Sequence, residues 1–376
     1  MTQAFDICIR GDGTVGRTLA LLLARERLHV GLVQRPPARA SGSAPLPATL
    51  DVRAYALNAK SRSLLESLRC WPDAQHATEV LNMQVKGDAG GEVNFSAAAL
   101  KVSGLNWIVD VPVLEAQLGE ALRFQPLIEL LEAPPPATLT VICEGNASST
   151  RTDFGVEFDV TPYLQNAIAA RLSCEAPHAQ TARQWFLQGE ILAFLPMDGP
   201  QGNSVAVVWS VQKGRAQTLL DESPADFCQQ LELASEGCLG KLSLASERCA
   251  WPLQMARAQR WVGSHAGAAW ALAGDAAHNI HPLAGQGLNL GLSDVAALVT
   301  ILHEREYWRS LGDEKLLRRY ERTRQAEVLT LGLTLDGLQQ LFSKDGAAWQ
   351  AARNWGMNCF EHSGLVKQWV ARQAMG

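Results

Sequence analysis

Gly274-Asp275-Ala276-Ala277-His278-Asn279-Ile280-His281-Pro282-Leu283-Ala284-Gly285-Gln286-Gly287-Leu288-Asn289-Leu290-Gly291-Leu292-Ser293-Asp294 is the stretch that decides how this chain folds. A short apolar run, Trp270 to Ala273, precedes it, and Leu288, Leu292, Val295, Ala296 and Val299 follow at the spacing of a helix with one buried face. A strand, a tight loop and a helix start are expected. Ala284, Gly285 and Gly287 leave backbone amides uncovered where that helix begins, and amides plus helix dipole suit an electron-rich group. Asp275, directly after a strand-end glycine, is placed to accept from ligand hydroxyls; a helix-capping role is the plainer alternative. His278 and His281 lack a third ligand of suitable spacing, so no metal is expected.

The N-terminus reads as strand, loop, helix, strand: Phe5 to Arg10, Gly11-Asp12-Gly13-Thr14-Val15-Gly16, Arg17 to Arg27, and His29 to Gln34. Its helix is expected to bury Leu19, Ala20, Leu23 and Ala24 on one side. In this dinucleotide-binding βαβ pattern Gly11 permits the sharp turn, Gly13 lets a pyrophosphate approach the backbone and Gly16 lets helix and strand pack closely. A ligand-free glycine turn is the alternative. The acid that usually closes the unit on a ribose hydroxyl is replaced by Gln34, which keeps an acceptor but loses charge assistance worth on the order of 1 kcal/mol.

The 274–294 block is similar, nearly letter for letter, to the second flavin-binding motif of the aromatic-ring hydroxylases of ubiquinone biosynthesis, within the para-hydroxybenzoate hydroxylase superfamily. Further segments carry the resemblance nearly end to end. Asp51-Val52-Arg53-Ala54-Tyr55-Ala56-Leu57 resembles the family's DxRxxAL, and Cys143 followed by Glu144-Gly145-Asn146-Ala147-Ser148-Ser149-Thr150-Arg151 its ADGxxSxxR with Cys for Ala and Glu for Asp. Pro177 to Phe186 and Gly189 to Met197 resemble PHxxAxxxF and GxxAxLPL, and 336–342, 353–357 and 373–376 resemble the subfamily's C-terminus.

The resemblance implies an α/β protein: a Rossmann-like FAD-binding domain (1–75, 101–165 and 256–340), an antiparallel β-sheet substrate domain (76–100 and 166–255) and a C-terminal helical segment (341–376). It implies FAD held by Gly11, Gly13, Val15, Gly16, Gln34, Arg53, Glu144, Asp275, Pro282, Gly285, Gly287, Leu288 and Asn289. Pro282, beside the reactive edge of the flavin ring, is the one catalytic candidate. NADH or NADPH is implied as transient electron donor, docking near the 144–151 motif, where the extra methylene of Glu144 is a departure. Val111 stands where relatives often carry Arg or Gln. Between Ala121 and Cys143 the chain looks short, with Pro126 and Pro134-Pro135-Pro136 bracketing what reads as a brief acidic linker.

From about 166 to 255, apolar and alternating runs broken by Gly, Pro and Asn read as antiparallel sheet. His178 fits either a base near substrate or, more plainly, a turn histidine bonded to backbone. The chain of 376 residues with 47% hydrophobic content can bury a large core, and its net charge of -5 gives no footprint for nucleic acid. Eight cysteines without metal or framework spacing read as reduced thiols, which favours the cytoplasm. No basic, apolar leader and no apolar run near the ~20 residues of a membrane span is expected. Trp355, Leu365, Val366, Trp369 and Val370 beside Lys367 and Arg372 form a stripe that suits either packing on the protein itself or resting on the inner-membrane surface.

The function implied is hydroxylation, through a flavin hydroperoxide, of the aromatic ring of a polyprenylated phenol or benzoquinol in ubiquinone biosynthesis, alongside other proteins of that pathway. The alternative is a degenerate paralogue that binds a quinone precursor or partner enzymes without turnover. A reductase or halogenase is a third reading, and the halogenase lysine motif is absent.

Overall fold

A computed structural model describes residues 5–34, 51–88, 90–279, 286–343, 355–364, 367, 368 and 372. The chain opens with β1 (Phe5–Arg10), α1 (Thr14–Arg25) and β2 (Val30–Val33), followed by β3 (Ala54–Leu57) and α2 (Ala59–Ser67). Next come β4 (Ala77–Val80), β5 (Asn82–Lys86), β6 (Glu92–Ser96), α3 (Ala97–Leu100), β7 (Asn106–Asp110) and α4 (Val111–Arg123). The middle runs through β8 (Ile128–Leu131), β9 (Ala137–Ile142), α5 (Ser149–Asp153), β10 (Phe158–Cys174), β11 (Thr181–Leu187), β12 (Glu190–Met197) and β13 (Ser204–Gln212). After α6 (Lys213–Asp221) and α7 (Pro224–Ala234) come β14 (Leu242–Leu244), β15 (Cys249–Ala258), β16 (Val262–His265) and β17 (Ala268–Leu272). A 3-10 turn (Gly274–Ala276), β18 (His278–Asn279), α8 (Gly287–His303) and α9 (Glu314–Ser343) complete the series, and residues 355–361 are helical.

One sheet has the order β16-β17-β9-β1-β2-β8. All its pairs but β16–β17 are parallel, so both faces need helical cover. α1 lies between that sheet and α4 and α8, which explains why it buries Leu21 and Leu22 as well as Leu19, Ala20, Leu23 and Ala24. The expected one-sided stripe is thus a helix buried nearly all round.

A second sheet runs β18-β15-β10-β13-β12-β11-β5-β6, with β14 on β10. Only β11–β5 is parallel. α6 and α7, which period-2 reading of 166–255 does not anticipate, cover one face through Trp209, Phe227 and Leu231. A third sheet, β3-β7-β4, joins the other two: Ala56, Val80 and Ile108 pack on Ala182, Met197 and Ala206.

The acidic stretch after Pro126 is not simply a linker. β8 lies in it and pairs parallel with β2 as the sheet's edge, its Glu129 and Leu130 facing solvent, so too few apolar residues mark it as a strand. Pro282, Gly285, His281 and Ala284 lie outside the described residues, as do the 40–48 loop and Leu365, Val366, Trp369 and Val370 of the C-terminal stripe.

Candidate cofactor site

Two helix N-termini without side-chain caps among the described residues meet at Val15. α1 starts after Gly13 and α8 after Gln286, with no acid in either first turn. Their ladders begin with Arg17 N donating to Gly13 O and Leu290 N to Gln286 O, each 3.0 Å, so the amides of residues 14–16 and 287–289 lie outside the helical bonding pattern. A Cβ on Gly291 would lie 2.8 Å from Val15 Cγ2, and one on Gly274 3.3 Å from it. Val15 therefore serves as the packing wedge between the two glycine motifs.

The glycines of the first loop divide by role. Gly11 has φ +110°, and a Cβ there would lie 2.5 Å from the Cys143 carbonyl oxygen; one on Gly16 would lie 1.9 Å from the Gly11 oxygen. Among the described residues, a Cβ on Gly13 or Gly287 would meet nothing within 4 Å. The first pair is needed for packing, the second opens onto space in front of the helix ends.

Asp275 is exposed beside this space. Desolvation by the surrounding protein raises its carboxyl above the ordinary value, with His278 opposing and Asp294 adding, and its solvent contact screens part of that effect. Arg53 is held by Asp51 at 2.5 Å and by Glu115 at 3.3 Å, and Glu115 accepts from Thr14 Oγ1 at 3.3 Å, which brings Arg53 close to the first turn of α1. Val111 is buried and donates its amide to Arg53 O. Gln34 is exposed at the end of β2 and lines, with Asp12, Arg17 and Arg123, a cleft of about 440 Å³.

Two candidates do something other than their motif suggests. The Glu144 carboxylate accepts from Arg10 at 3.1 Å, Ser148 Oγ and Thr150 Oγ1 at 2.6 Å each and Thr150 N at 3.2 Å, so it supports the first turn of α5 beside the capping Ser148. Burial would raise it, but those hydrogen bonds and Arg10 outweigh burial and leave it below the ordinary range. The Asn289 side chain accepts from Asn58 N and Ser61 Oγ and donates to Ala56 O and Gln286. It clamps α8 to β3 and α2, leaving only its backbone amide to face outward. Leu288 is half-buried on the core.

Sequence reasoning passed over the polar group beneath this loop. Asp294 Oδ2 accepts from His278 Nε2 at 2.7 Å and from Gly274 N at 2.9 Å, while Oδ1 takes Arg324 Nε at 2.7 Å. Burial alone would raise Asp294, but His278 and Arg324 outweigh it and hold the carboxyl below its ordinary range. The signal was present: Asp294 stands between Leu290 and Leu298, an acid in the buried stripe of α8. Arg151 links the 144–151 motif to the same turn through Ala276 O at 3.1 Å. His178, fully buried, spends Nε2 on Met197 O and Nδ1 on Gln180 N, the backbone-bonded arrangement.

Residues 136–331, more than half of the chain, match the family described as FAD binding domain. The chain belongs to that family. As a member of the FAD binding domain family it is 29% identical over 400 residues to the 3-demethoxyubiquinol 3-hydroxylase of Escherichia coli, covering 100% of this chain and 99% of that protein. It is also 29% identical over 396 residues to ubiquinone hydroxylase UbiL of Rhodospirillum rubrum, covering 99% and 89%. The P. aeruginosa PqsL structure in complex with 2-aminobenzoylacetate shares the fold, with TM-score 0.74 at 18% identity over 94% of this chain and 100% of that one. FAD is the cofactor of the family, and the residues here fit it: an open, uncapped α1 terminus for a diphosphate and an open, uncapped α8 terminus for an electron-rich ring. Among the described residues no group of His, Cys, Asp and Glu is arranged to hold a metal, and no helix is long and apolar enough to cross a membrane.

Proposed function

We propose that this FAD-dependent monooxygenase hydroxylates the aromatic ring of a polyprenylated phenol or benzoquinol intermediate in ubiquinone biosynthesis, with NADH or NADPH as electron donor. The observation that carries it is the meeting of two uncapped helix N-termini at Val15, beside the exposed Asp275. The names of the relatives supply the substrate class. Bound here, FAD supplies two-electron reduction and the activation of dioxygen for transfer of one oxygen atom to the ring.

The chain's own residues have separate tasks. The α1 amides and Gly13 hold the diphosphate, Gln34 the adenosine ribose and Asp275 the ribityl or ribose hydroxyls. The amides of Gly287 to Asn289 offset negative charge on the reduced ring. By the family resemblance Pro282, outside the described residues, is the candidate for the reactive edge of the ring, Gly285 for the cofactor loop and Arg53 for the nucleotide. Residues 1–75, 101–165 and 256–340 form the cofactor part, 76–100 and 166–255 the substrate part. A lipid-soluble substrate makes contact with the membrane surface and with other enzymes of the pathway part of the same proposal.

The visible spectrum of freshly purified protein, followed by NAD(P)H oxidation with and without a prenylphenol, tests the reading. A yellow protein whose oxidation of NAD(P)H rises with the phenol is expected. A colourless protein that stays without flavin in excess FAD overturns it; a yellow one that never hydroxylates the phenol favours the non-catalytic paralogue.

A further inference from the structure

The face of the large sheet that α6 and α7 cover carries a polar patch where β11 meets β5. Parallel register sets Arg183 opposite Gln84 and Trp185 opposite Lys86, and alternate residues of a strand share a face. The four side chains thus stand at the corners of a rectangle about 4.8 by about 6.6 Å, and each carries N–H donors. Phe194 and Leu192 flank the patch on β12, both buried in the apolar core beneath the helices. With Cys238, which follows α7, the four residues line a cavity of about 30 Å³. That exceeds the roughly 10–15 Å³ one water needs and is too little for a nucleotide or an organic ring.

Two of these donors lack a full set of protein acceptors. Trp185 is 3% exposed, and among the described residues its indole Nε1 has no hydrogen-bond partner. Such a buried N–H is costly unless protein, water or ligand meets it. Arg183 is half-buried and forms no ion pair among the described residues; it donates only from Nη1, to the His178 and Thr181 carbonyls at 3.3 and 3.4 Å.

Charge decides the kind of ligand. Two acids flank the patch, and both sit on Lys86: Glu236 lies 2.5 Å from its Nζ, and Glu92 stands opposite it on β6, the side away from Arg183. The Arg183 charge is left over. It is felt across the cavity, for burial raises the Cys238 thiol and Arg183 is the foremost charge opposing that rise. A spare guanidinium, an unmet indole N–H and an amide suit an oxyanion, which accepts from several donors at once.

We infer that Arg183, Trp185, Lys86 and Gln84 form a binding site for a small oxyanion of the phosphate or sulfate kind, on the face of the sheet opposite the one that packs against β3, β4 and β7. The test titrates FAD-loaded protein, whose α1 terminus is already filled, with inorganic phosphate and with sulfate by calorimetry, at an ionic strength held constant with sodium chloride. Peptide mass spectrometry follows the alkylation of Cys238 by iodoacetamide in the same samples. Arg183→Gln should weaken phosphate binding about tenfold or more and Trp185→Phe, which keeps the ring packing, several-fold, with FAD content unchanged in both. Saturating phosphate should slow alkylation of Cys238 at least about threefold in wild type, and the same concentration should leave it unaffected in Arg183→Gln. Wild type that binds neither anion, wild-type affinity in Arg183→Gln, or alkylation of Cys238 no slower than in sodium chloride alone overturns the assignment, and none of these outcomes touches the hydroxylase reading.

Discussion

Asp294 on α8 and Arg324 on α9 form a 2.7 Å ion pair closed to solvent, the side chains being 0% and 2% exposed. The same carboxylate holds His278 and the Gly274 amide, so the turn that presents Asp275 is tied to α9.

Asp294→Asn should therefore lower unfolding stability by about 3 kcal/mol, because it leaves the buried Arg324 charge with only the solvent-exposed Glu327 as counter-ion. Urea unfolding checks this, and a loss under about 1 kcal/mol would contradict it. The pH dependence has a defined sign. The folded-state pKa of Asp294 lies below its ordinary value of 3.8, so its contribution is fully present above that value and is lost as pH falls through the lower folded one. Wild type should lose stability below about pH 4 more steeply than Asp294→Asn.

Gly13→Ala and Gly11→Ala separate binding from folding. The added methyl at Gly13 projects into open space, so the apo protein should melt like wild type while FAD affinity drops about tenfold or more. At Gly11 the methyl would lie 2.5 Å from the Cys143 carbonyl oxygen on a backbone of φ +110°, and the fold itself should weaken by about 1–3 kcal/mol. Recovery of flavin fluorescence on heating, with circular dichroism of the apo forms, reads both. Wild-type FAD affinity in Gly13→Ala would show that the α1 terminus does not face the cofactor.

Gln34→Glu should tighten FAD binding several-fold, the effect of charge assistance worth on the order of 1 kcal/mol. Cofactor retention through dialysis measures it; no change would place the ribose elsewhere.

Asn289→Ala should cost on the order of 3 kcal/mol in stability, because Asn58 N and Ser61 Oγ lose a buried acceptor and Ala56 O a donor. The backbone amide survives the change, so FAD affinity of the folded fraction should move by less than about threefold. A large loss of affinity at unchanged stability would make the side chain a cofactor contact.

Glycine spacing made the first βαβ unit legible: Gly11 sits at a turn of φ +110° and Gly16 at a close backbone contact, the turn and packing roles that the spacing implied. What sequence could not tell was whether a motif residue acts by side chain or by backbone. Glu144 and Asn289 both stand in flavin motifs, yet their side chains are consumed by protein groups far away in sequence, such as Arg10 and Ser61. β8 escaped notice because an edge strand with one solvated side needs little apolar character.

The tie between α9 and the Gly274 turn has a consequence for biosynthesis. β1 cannot gain both neighbours until β9 is made, nor β9 its second neighbour, β17, until residue 272 emerges, and Asp294 waits for residue 324. The dinucleotide fold that begins at residue 5 is thus completed only when most of the polypeptide has left the ribosome, which makes nascent chains stalled before residue 324 natural clients for chaperones.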